Sequence, residues 1–541
     1  LLALQEENLR PAKGTARHLL FRYNQMKSLH TLLSSLPSYT LLGDAHALAR
    51  GVQNVQYDSR RCKEDSLFVA IRGLRFDGHD FIDDAIARGA RFIVAEEERE
   101  TPNNVALALT PNSRHALADI AHAWHDYPSE KMRIFGVTGT NGKTTCTFIL
   151  RRLLEAMGET VGVIGTTGNY IADEVLPSEF TTPESLELCE LLTTMRKRGV
   201  TSVAMEVSSH ALAMERVRGV RFAGAIFTNL TQDHLDFHGT MEKYALAKKR
   251  LFDMVSEDAI AVVNADDAAS ALMLSDSRAA RKIMFGRSAN ADVRIANERL
   301  SFAGTHLSLS FRGANFESAE KTEINTMEVH IPLIGEFNCD NFAACAAMAW
   351  GLGMPLDDLR RAAQERVEGA PGRMQRLPLL GGKAVAIVDY AHTPDALEKS
   401  LLACRRLLRA QEETTRQSGR IVCVFGCGGD RDRTKRPKMG AIASKLADAV
   451  ILTSDNPRTE DPLTIIDDIL AGIPQERFSA IVALPDRKEA IRAAIAQMRA
   501  GDIALIAGKG HETYQILGAH KIHFDDAEEI EVAANATRAG H

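Results

Sequence analysis

The chain has 541 residues, too many for one hydrophobic core and enough for roughly three or four domains of ordinary size. Sixty-five Lys and Arg against 71 Asp and Glu leave a net charge of −6, so no basic field for nucleic acid is present and nothing favours an anionic membrane. The eight cysteines, of which only Cys423 and Cys427 are close, fit neither a zinc spacing nor a disulfide framework, and no apolar run approaches the roughly 20 residues of a membrane span.

Residues 1–25 carry Arg10, Lys13, Arg17 and Arg22 but no sustained apolar stretch or cleavage site. They read as an extension ahead of Met26-Lys27-Ser28-Leu29, without a part in the fold. From 26 to 128 the pattern predicts a small α/β domain, with buried strands at 66–70 and 91–95 around a helix at 81–88. Two polar strings interrupt it, Tyr57-Asp58-Ser59-Arg60 and Arg72-Gly73-Leu74-Arg75-Phe76-Asp77-Gly78-His79. Local chemistry alone makes both of them turns.

The region 129–367 alternates strand and helix as a mostly parallel sheet does, with strands expected at 133–137, 161–165, 202–207, 223–229 and 259–263. After the first comes Gly136-Val137-Thr138-Gly139-Thr140-Asn141-Gly142-Lys143-Thr144-Thr145, then a helix. Glycine backbone can close on phosphate oxygens, the helix N-terminus adds positive potential, Lys143 reaches outer phosphates and Thr144 can ligate Mg²⁺. Ligands of such sheets gather at the carboxyl ends of strands. That rule puts the loop, Thr181-Thr182-Pro183, Glu206-Val207-Ser208-Ser209-His210 and Thr228-Asn229-Leu230 at one edge.

Glu206 ends an apolar strand, and a carboxylate there needs a partner. Mg²⁺ beside an ATP phosphate suits it, with a helix cap or salt bridge as the ordinary alternative. The Asp/His-rich string Asn229 to Gly239 lacks the H-E-x-x-H of a zincin. On the next helix, Lys248-Lys249-Arg250 is a solvated face by pattern alone. Residues 265–330 suggest a few antiparallel strands closing one side of the sheet. The string Gly335 to Asn341 leads into a helix at 342–350, and Asn341 suits either an adenine edge or an N-cap.

A composition shift at 367–378 marks another boundary, and 368–541 alternates again, with strands at 384–388, 421–425, 449–453 and 503–507. Their loops offer Arg431, Asp455, Arg458 and Glu512 around one pocket. Arginine forks suit carboxylates and acidic groups suit ammonium, so the ligand described is an amino acid with an extra charged end.

These strings, in this order, resemble the Mur ligase family from about Met26 to the end. The nucleotide string Gly139 to Thr144 is that of Mur ligases and of folylpolyglutamate synthase, with Val137 where the general P-loop has its first glycine. The resemblance implies an α/β protein of three domains: a small N-terminal α/β domain for UDP, a central P-loop-type mostly parallel sheet for ATP, and a C-terminal Rossmann-like domain for the amino acid. It assigns the UDP-N-acetylmuramoyl-dipeptide to Tyr57, Ser59, Leu74, Arg75, Phe76, Thr181, Thr182, Ser208, Met214, Arg216 and Lys248, Met214 standing where some relatives have glutamine. ATP falls to Gly139, Thr140, Asn141, Gly142, Lys143, Thr144, Thr145, Asn341, Arg373 and Asp389, the last two across a domain boundary, which implies closure. Mg²⁺ falls to Thr144, Glu206, His234 and a carbamylated Lys248, with Lys143, Glu206, His234 and Lys248 as the catalytic set.

The amino acid is assigned to Arg431, Asp455, Asn456, Pro457, Arg458, Gly508 and Glu512. Within the family, Asp-Asn-Pro-Arg marks the branch that adds meso-diaminopimelate, its arginine meeting the distal carboxylate. The expected activity is ATP-dependent amide formation through an acyl phosphate, in peptidoglycan precursor synthesis and hence cell shape and division. A cytoplasmic monomer acting on small molecules is expected, with no nucleic acid and no membrane insertion. The rivals are a lysine-adding ligase of the same family, folylpolyglutamate synthase, and a regulatory ATPase that ligates nothing.

Overall fold

The computed structural model describes residues 26–73, 76–172, 174–176, 178, 180–313 and 324–539; the expectations for residues 1–25, Leu74 and Arg75 lie outside them. The described chain forms two compact units. The first takes residues 26–132 together with 183–200 and 213–220, and the second takes 133–182, 201–212 and the remainder from 221.

The first unit is built on a five-stranded sheet in the order Thr40–Gly43, Ala106–Leu109, Ala90–Ala95, Ser66–Val69, Asn54–Gln56. All pairings are parallel except that of Thr40–Gly43, at one edge. The two strands expected from their apolar runs lie at its centre, covered on both faces as parallel strands must be. On one face Leu67, Val69, Phe92 and Val94 pack against Leu117 and Ile120 of the helix Ser113–Trp124, whose first turn is capped by Asn112. Leu186 and Cys189 of the helix Ser185–Lys197 join this core, although that helix lies far along the chain. On the other face Phe68, Ile93 and Leu107 pack on Ile82 and Ala85.

The second unit holds two large sheets and a two-stranded ribbon, Tyr514–Leu517 with His520–His523. The larger has eleven strands, and its parallel heart runs Val161–Gly165, Ser202–Glu206, Arg133–Thr138, Phe222–Phe227, Val255–Asn264, Arg281–Gly286. Strands were expected at five of these; Arg281–Gly286 is additional. Val293–Ser301, Gly304–Arg312 and Ile324–Ile331 extend one edge, the last two antiparallel to their neighbours, and so close that side of the sheet as expected. The helices Lys143–Ala156 and Glu336–Gly351 pack together on one face. Every residue from Phe342 to Ala349 is buried, and the small Ala343, Ala344, Ala346 and Ala347 let the neighbouring elements approach. This helix begins at Glu336, a full turn or more before the expected 342, so Asn341 sits inside it and is not an N-cap.

The second sheet has six strands in the order Gln375–Leu379, Ala384–Asp389, Ile503–Ala507, Ile421–Phe425, Ala449–Leu452, Ile481–Ala483, all parallel except the first. The carboxyl ends of its central strands therefore bring Asp389, Gly426, Thr453 and Gly508 to one edge, where such sheets place ligands. Phe302 and Ile334, from the larger sheet's region, are buried in the core of the smaller one, and Glu336 pairs with Arg406 at 2.6 Å. No helix among the described residues is long and apolar enough to cross a membrane.

Candidate active site

The glycine loop turns from the strand Arg133–Thr138 into the helix that starts at Lys143. Gly139 and Gly142 take positive φ of 148° and 87°, and both are closely enclosed. A Cβ on Gly139 would fall 1.9 Å from Thr228 Oγ1, and one on Gly142 2.3 Å from Asn341 Oδ1. Distant segments thus shape the loop. Thr228 Oγ1 donates to Asn141 O at 2.6 Å, Thr140 N donates to Asn229 O at 2.8 Å, and Asn141 N donates to Asn229 Oδ1 at 3.0 Å. Asn341 is itself held, donating to Asn338 Oδ1 and accepting from the Cys146 thiol.

Lys143 folds back onto the loop, its Nζ donating to the carbonyls of Gly139 at 2.9 Å and Thr140 at 2.8 Å. Lys248 Nζ donates to the same Gly139 carbonyl at 2.7 Å and lies 4.4 Å from the centre of the Tyr244 ring. Lys248 is buried, and so is its neighbour Lys249, which is therefore not the solvated residue its pattern suggests but turns to Asp253 and Asp276. Burial, with the Lys143 charge beside it, holds the Lys248 ammonium well below the usual lysine range. Burial also lowers Lys143; Glu206 opposes that shift and the Arg373 charge adds to it. Three basic side chains therefore gather at one loop whose own residues carry no carboxylate, with Glu206 and Asp233 the acidic groups that act on them.

Glu206 is buried at the end of its strand, and the partner found for it is Thr166. Thr166 N donates to Oε1 at 2.8 Å and Thr166 Oγ1 to Oε2 at 3.2 Å. Thr181 Oγ1 lies 3.0 Å from Thr166 Oγ1; Thr182 Oγ1 donates to Glu206 O, and Ser208 N donates to Thr182 Oγ1. Thr144 is buried in the first helical turn after the loop, and Thr145 follows it. His234, in a left-handed backbone conformation, forms a ring cluster with His210, His238 and Tyr244. His210 lies within the helix Ser209–Ala213. Burial, then the neighbouring His210 and His234, push His238 down to about 4.

In the smaller sheet's region, Arg373 lies over the Tyr390 ring at 5.0 Å. Asp389 accepts from Met374 N at 2.8 Å and from Ser400 Oγ at 2.9 Å, and burial raises its carboxyl above the usual range. The three loops expected to form a pocket do meet. Arg458, at φ 55°, donates to the carbonyls of Gly429 and Asn456; Asn456 Nδ2 donates to Glu512 Oε2 at 2.8 Å; and a Cβ on Gly508 would stand 3.8 Å from Asp455 Cγ. Pro457 O lies close against Gly429. Arg431 is exposed and donates to Asp430 O. At their centre is a residue the sequence reading passed over, Lys509, fully buried between Asp455, Asn456 and Glu512. Its position between two glycines, in a loop already singled out, was the available signal.

The residues expected to hold the UDP-linked substrate fall in both units. In the first, Tyr57 OH donates to Glu187 Oε1 at 2.9 Å, Ser59 is buried, Phe76 is 72% exposed, and Arg216 pairs with Glu184 at 3.4 Å beside Met214. In the second are Thr181, Thr182, Ser208 and Lys248.

Three family models match the chain: Mur ligase family, catalytic domain, over 51–125; Mur ligase middle domain over 137–349; and Mur ligase, glutamate ligase domain over 372–510. The UDP-N-acetylmuramoyl-L-alanyl-D-glutamate–2,6-diaminopimelate ligase of Synechococcus elongatus is 41% identical, covering 94% of this chain and 98% of its own. The enzyme of that name from Geobacillus kaustophilus is 42% identical, covering 92% and 97%. A solved structure of a ligase with the same name superposes with a TM-score of 0.67 at 34% identity, over 95% of this chain and 99% of that one. Matches of this extent, running through every sheet described above, establish that the chain belongs to the Mur ligase family.

Proposed function

We propose that the protein is the ATP-dependent ligase that joins meso-2,6-diaminopimelate to UDP-N-acetylmuramoyl-L-alanyl-D-glutamate in peptidoglycan precursor synthesis, releasing ADP and phosphate. The observation that carries this is the pairing, in one compact unit, of a loop crowded by Lys143, Lys248 and Arg373 with a pocket charged in both signs at Asp455, Arg458, Lys509 and Glu512. The first suits a polyphosphate, and the second a zwitterion with a distal carboxylate.

In this reading an oxygen of the D-glutamate γ-carboxylate attacks the γ-phosphorus of ATP, the bond to ADP breaks, and an acyl phosphate results. The diaminopimelate amine attacks the acyl carbon, and the tetrahedral intermediate collapses by expelling phosphate as the amine loses its proton. Such transfer depends mainly on positioning and charge neutralisation. Lys143 exchanges the two loop carbonyls for phosphoryl oxygens, and Arg373 approaches from the other side. Asn341 borders the adenine and Asp389 the ribose.

Among the described residues no group of three or more His, Cys, Asp or Glu is assembled for a metal. Mg²⁺ needs only one or two protein oxygens beside nucleotide phosphates and water, and the Glu206 carboxylate and Thr144 hydroxyl fit that demand, His234 standing against the His210 and Tyr244 rings. When bound, Mg²⁺ supplies neutralisation of charge on the phosphoryl oxygens. Lys248, whose ammonium burial holds well below the usual lysine range, more readily gives up a proton to the free amine that adds CO₂ and then loses a proton to become an anionic carbamate. The protein is taken to work as a cytoplasmic monomer.

The test is ADP release with ATP, the UDP-dipeptide and either meso-diaminopimelate or L-lysine. Release that needs both acceptors and prefers meso-diaminopimelate is expected. Equal use of lysine, or release without the dipeptide, overturns the reading.

A further inference from the structure

Lys509 belongs to the loop that follows the strand Ile503–Ala507, and its side chain is wholly buried. Its Nζ stands 3.5 Å from Asp455 Oδ1 and 3.4 Å from Glu512 Oε2, and donates to Asn456 Oδ1 at 3.2 Å. Asn456 ties the group further, donating to Glu512 Oε2 and accepting from Ile516 N at 2.9 Å. Asp455 Oδ1 has no hydrogen-bond partner among the described residues, so the Lys509 charge is what compensates its burial.

A second buried cation stands behind this group. Arg487 donates through Nε and Nη2 to Asp526 at 2.7 Å each, and its charge acts on Asp455 and Glu512 as well. Three carboxylates thus share two buried cations. One negative charge is left over, and an ammonium group of the ligand is suited to meet it.

We propose that Lys509 is a positioning residue of the amino-acid pocket, holding Asp455 and Glu512 together as a pair of ionised carboxylates that receives the ammonium group of the incoming amino acid. Without a cation between them the two carboxylates repel, and one takes up a proton. A protonated carboxyl no longer attracts ammonium. Lys509 does this without touching the substrate, and the proposal rests on the amino-acid ligase reading above.

The experiment measures ADP release by the full chain against meso-diaminopimelate concentration, over a pH range of about 6.5 to 9.5, for wild type, Lys509→Met and Lys509→Gln. Lys509→Met is expected to raise the amino-acid KM about thirtyfold at neutral pH while the ATP KM moves by less than about twofold. Relative to wild type, the defect shrinks as pH rises and the protonated carboxyl ionises again. Lys509→Gln keeps a donor for Asn456 but drops the charge, so it follows Lys509→Met, and it supplies the same comparison if the methionine variant does not fold.

In a Glu512→Gln background, adding Lys509→Met costs less than about threefold, because no carboxylate pair remains to be held. A loss spread evenly over kcat and every KM and indifferent to pH, or a wild-type KM in Lys509→Gln, overturns the proposal. Where wild type shows no diaminopimelate-dependent release, the ligase reading itself falls. Where wild type does and the Lys509 variants keep its KM, only this proposal falls.

Discussion

The glycine loop and the pocket around Lys509 lie in one compact unit and treat charge in opposite ways. Around the loop Lys143 and Lys248 donate to backbone carbonyls, with no carboxylate as hydrogen-bond partner among the described residues. In the pocket each buried cation already has a carboxylate: Lys509 stands between Asp455 and Glu512, and Arg487 has Asp526, so that one negative charge is left over. A site with unpaired cations gains most when a multiply charged anion arrives, so its ligand is held largely by electrostatics. A site of paired charges gains little from charge as such and selects by where its forks and oxygens stand.

Removing a loop cation is the hardest test of this contrast. Lys143→Met is expected to cut turnover on the order of a thousandfold, since the developing phosphoryl charge loses its nearest donor, while diaminopimelate binding measured by calorimetry stays as in wild type. Comparable turnover in the variant would break the comparison. Arg458→Lys probes the other region. It is expected to raise the diaminopimelate KM about a hundredfold, because an ammonium cannot reproduce the planar fork, with ATP affinity unchanged. An unchanged amino-acid KM would remove Arg458 from the pocket.

The smallest effect sharpens the contrast within the loop region, between adjacent lysines. Lys248 is held below its unfolded value, so the unfolded chain binds a proton that the folded chain releases. In CO₂-free buffer, folding stability should therefore rise as pH climbs towards the ordinary lysine value of 10.5. Lys248→Met should flatten that slope in urea titrations. Lys249→Gln, which breaks pairs whose carboxylates, Asp253 and Asp276, are solvent-exposed, should leave the slope and the activity in place and change stability little.

The sequence announced whatever rests on period or on unbroken apolar runs. The strands Arg133–Thr138, Val161–Gly165 and Ile503–Ala507 are apolar almost throughout, as strands covered on both faces must be. Arg281–Gly286 was hidden because Arg281 and Lys282 open it with charge. The early start of the helix at Glu336 was hidden by Asn338, Asp340 and Asn341, polar residues buried or half-buried for what they hold.

Within the site, spacing could not choose between Lys248 and Lys249, since that depends on what packs against each face of the helix. Thr166 was unreadable, because Gly165-Thr166-Thr167-Gly168 looks like any turn until Glu206 is brought beside it from 40 residues away. Lys509 was missed for a related reason. A lysine between glycines suggests an exposed turn or a phosphate ligand, and only the assembled sheet puts it among carboxylates.

The division of the chain bears on how the protein is made. The backbone passes between the two units at 132–133, 182–183, 200–201, 212–213 and 220–221. Leu186 and Cys189, which complete the first unit's core, are synthesised after the glycine loop and its helix. A nascent chain ending near 132 therefore exposes the face that these residues cover, and the core of the amino-terminal unit is completed only once residue 189 has been made. For the same reason a fragment cut at 132 lacks part of its own interior, the part that Leu186 and Cys189 of the helix Ser185–Lys197 supply.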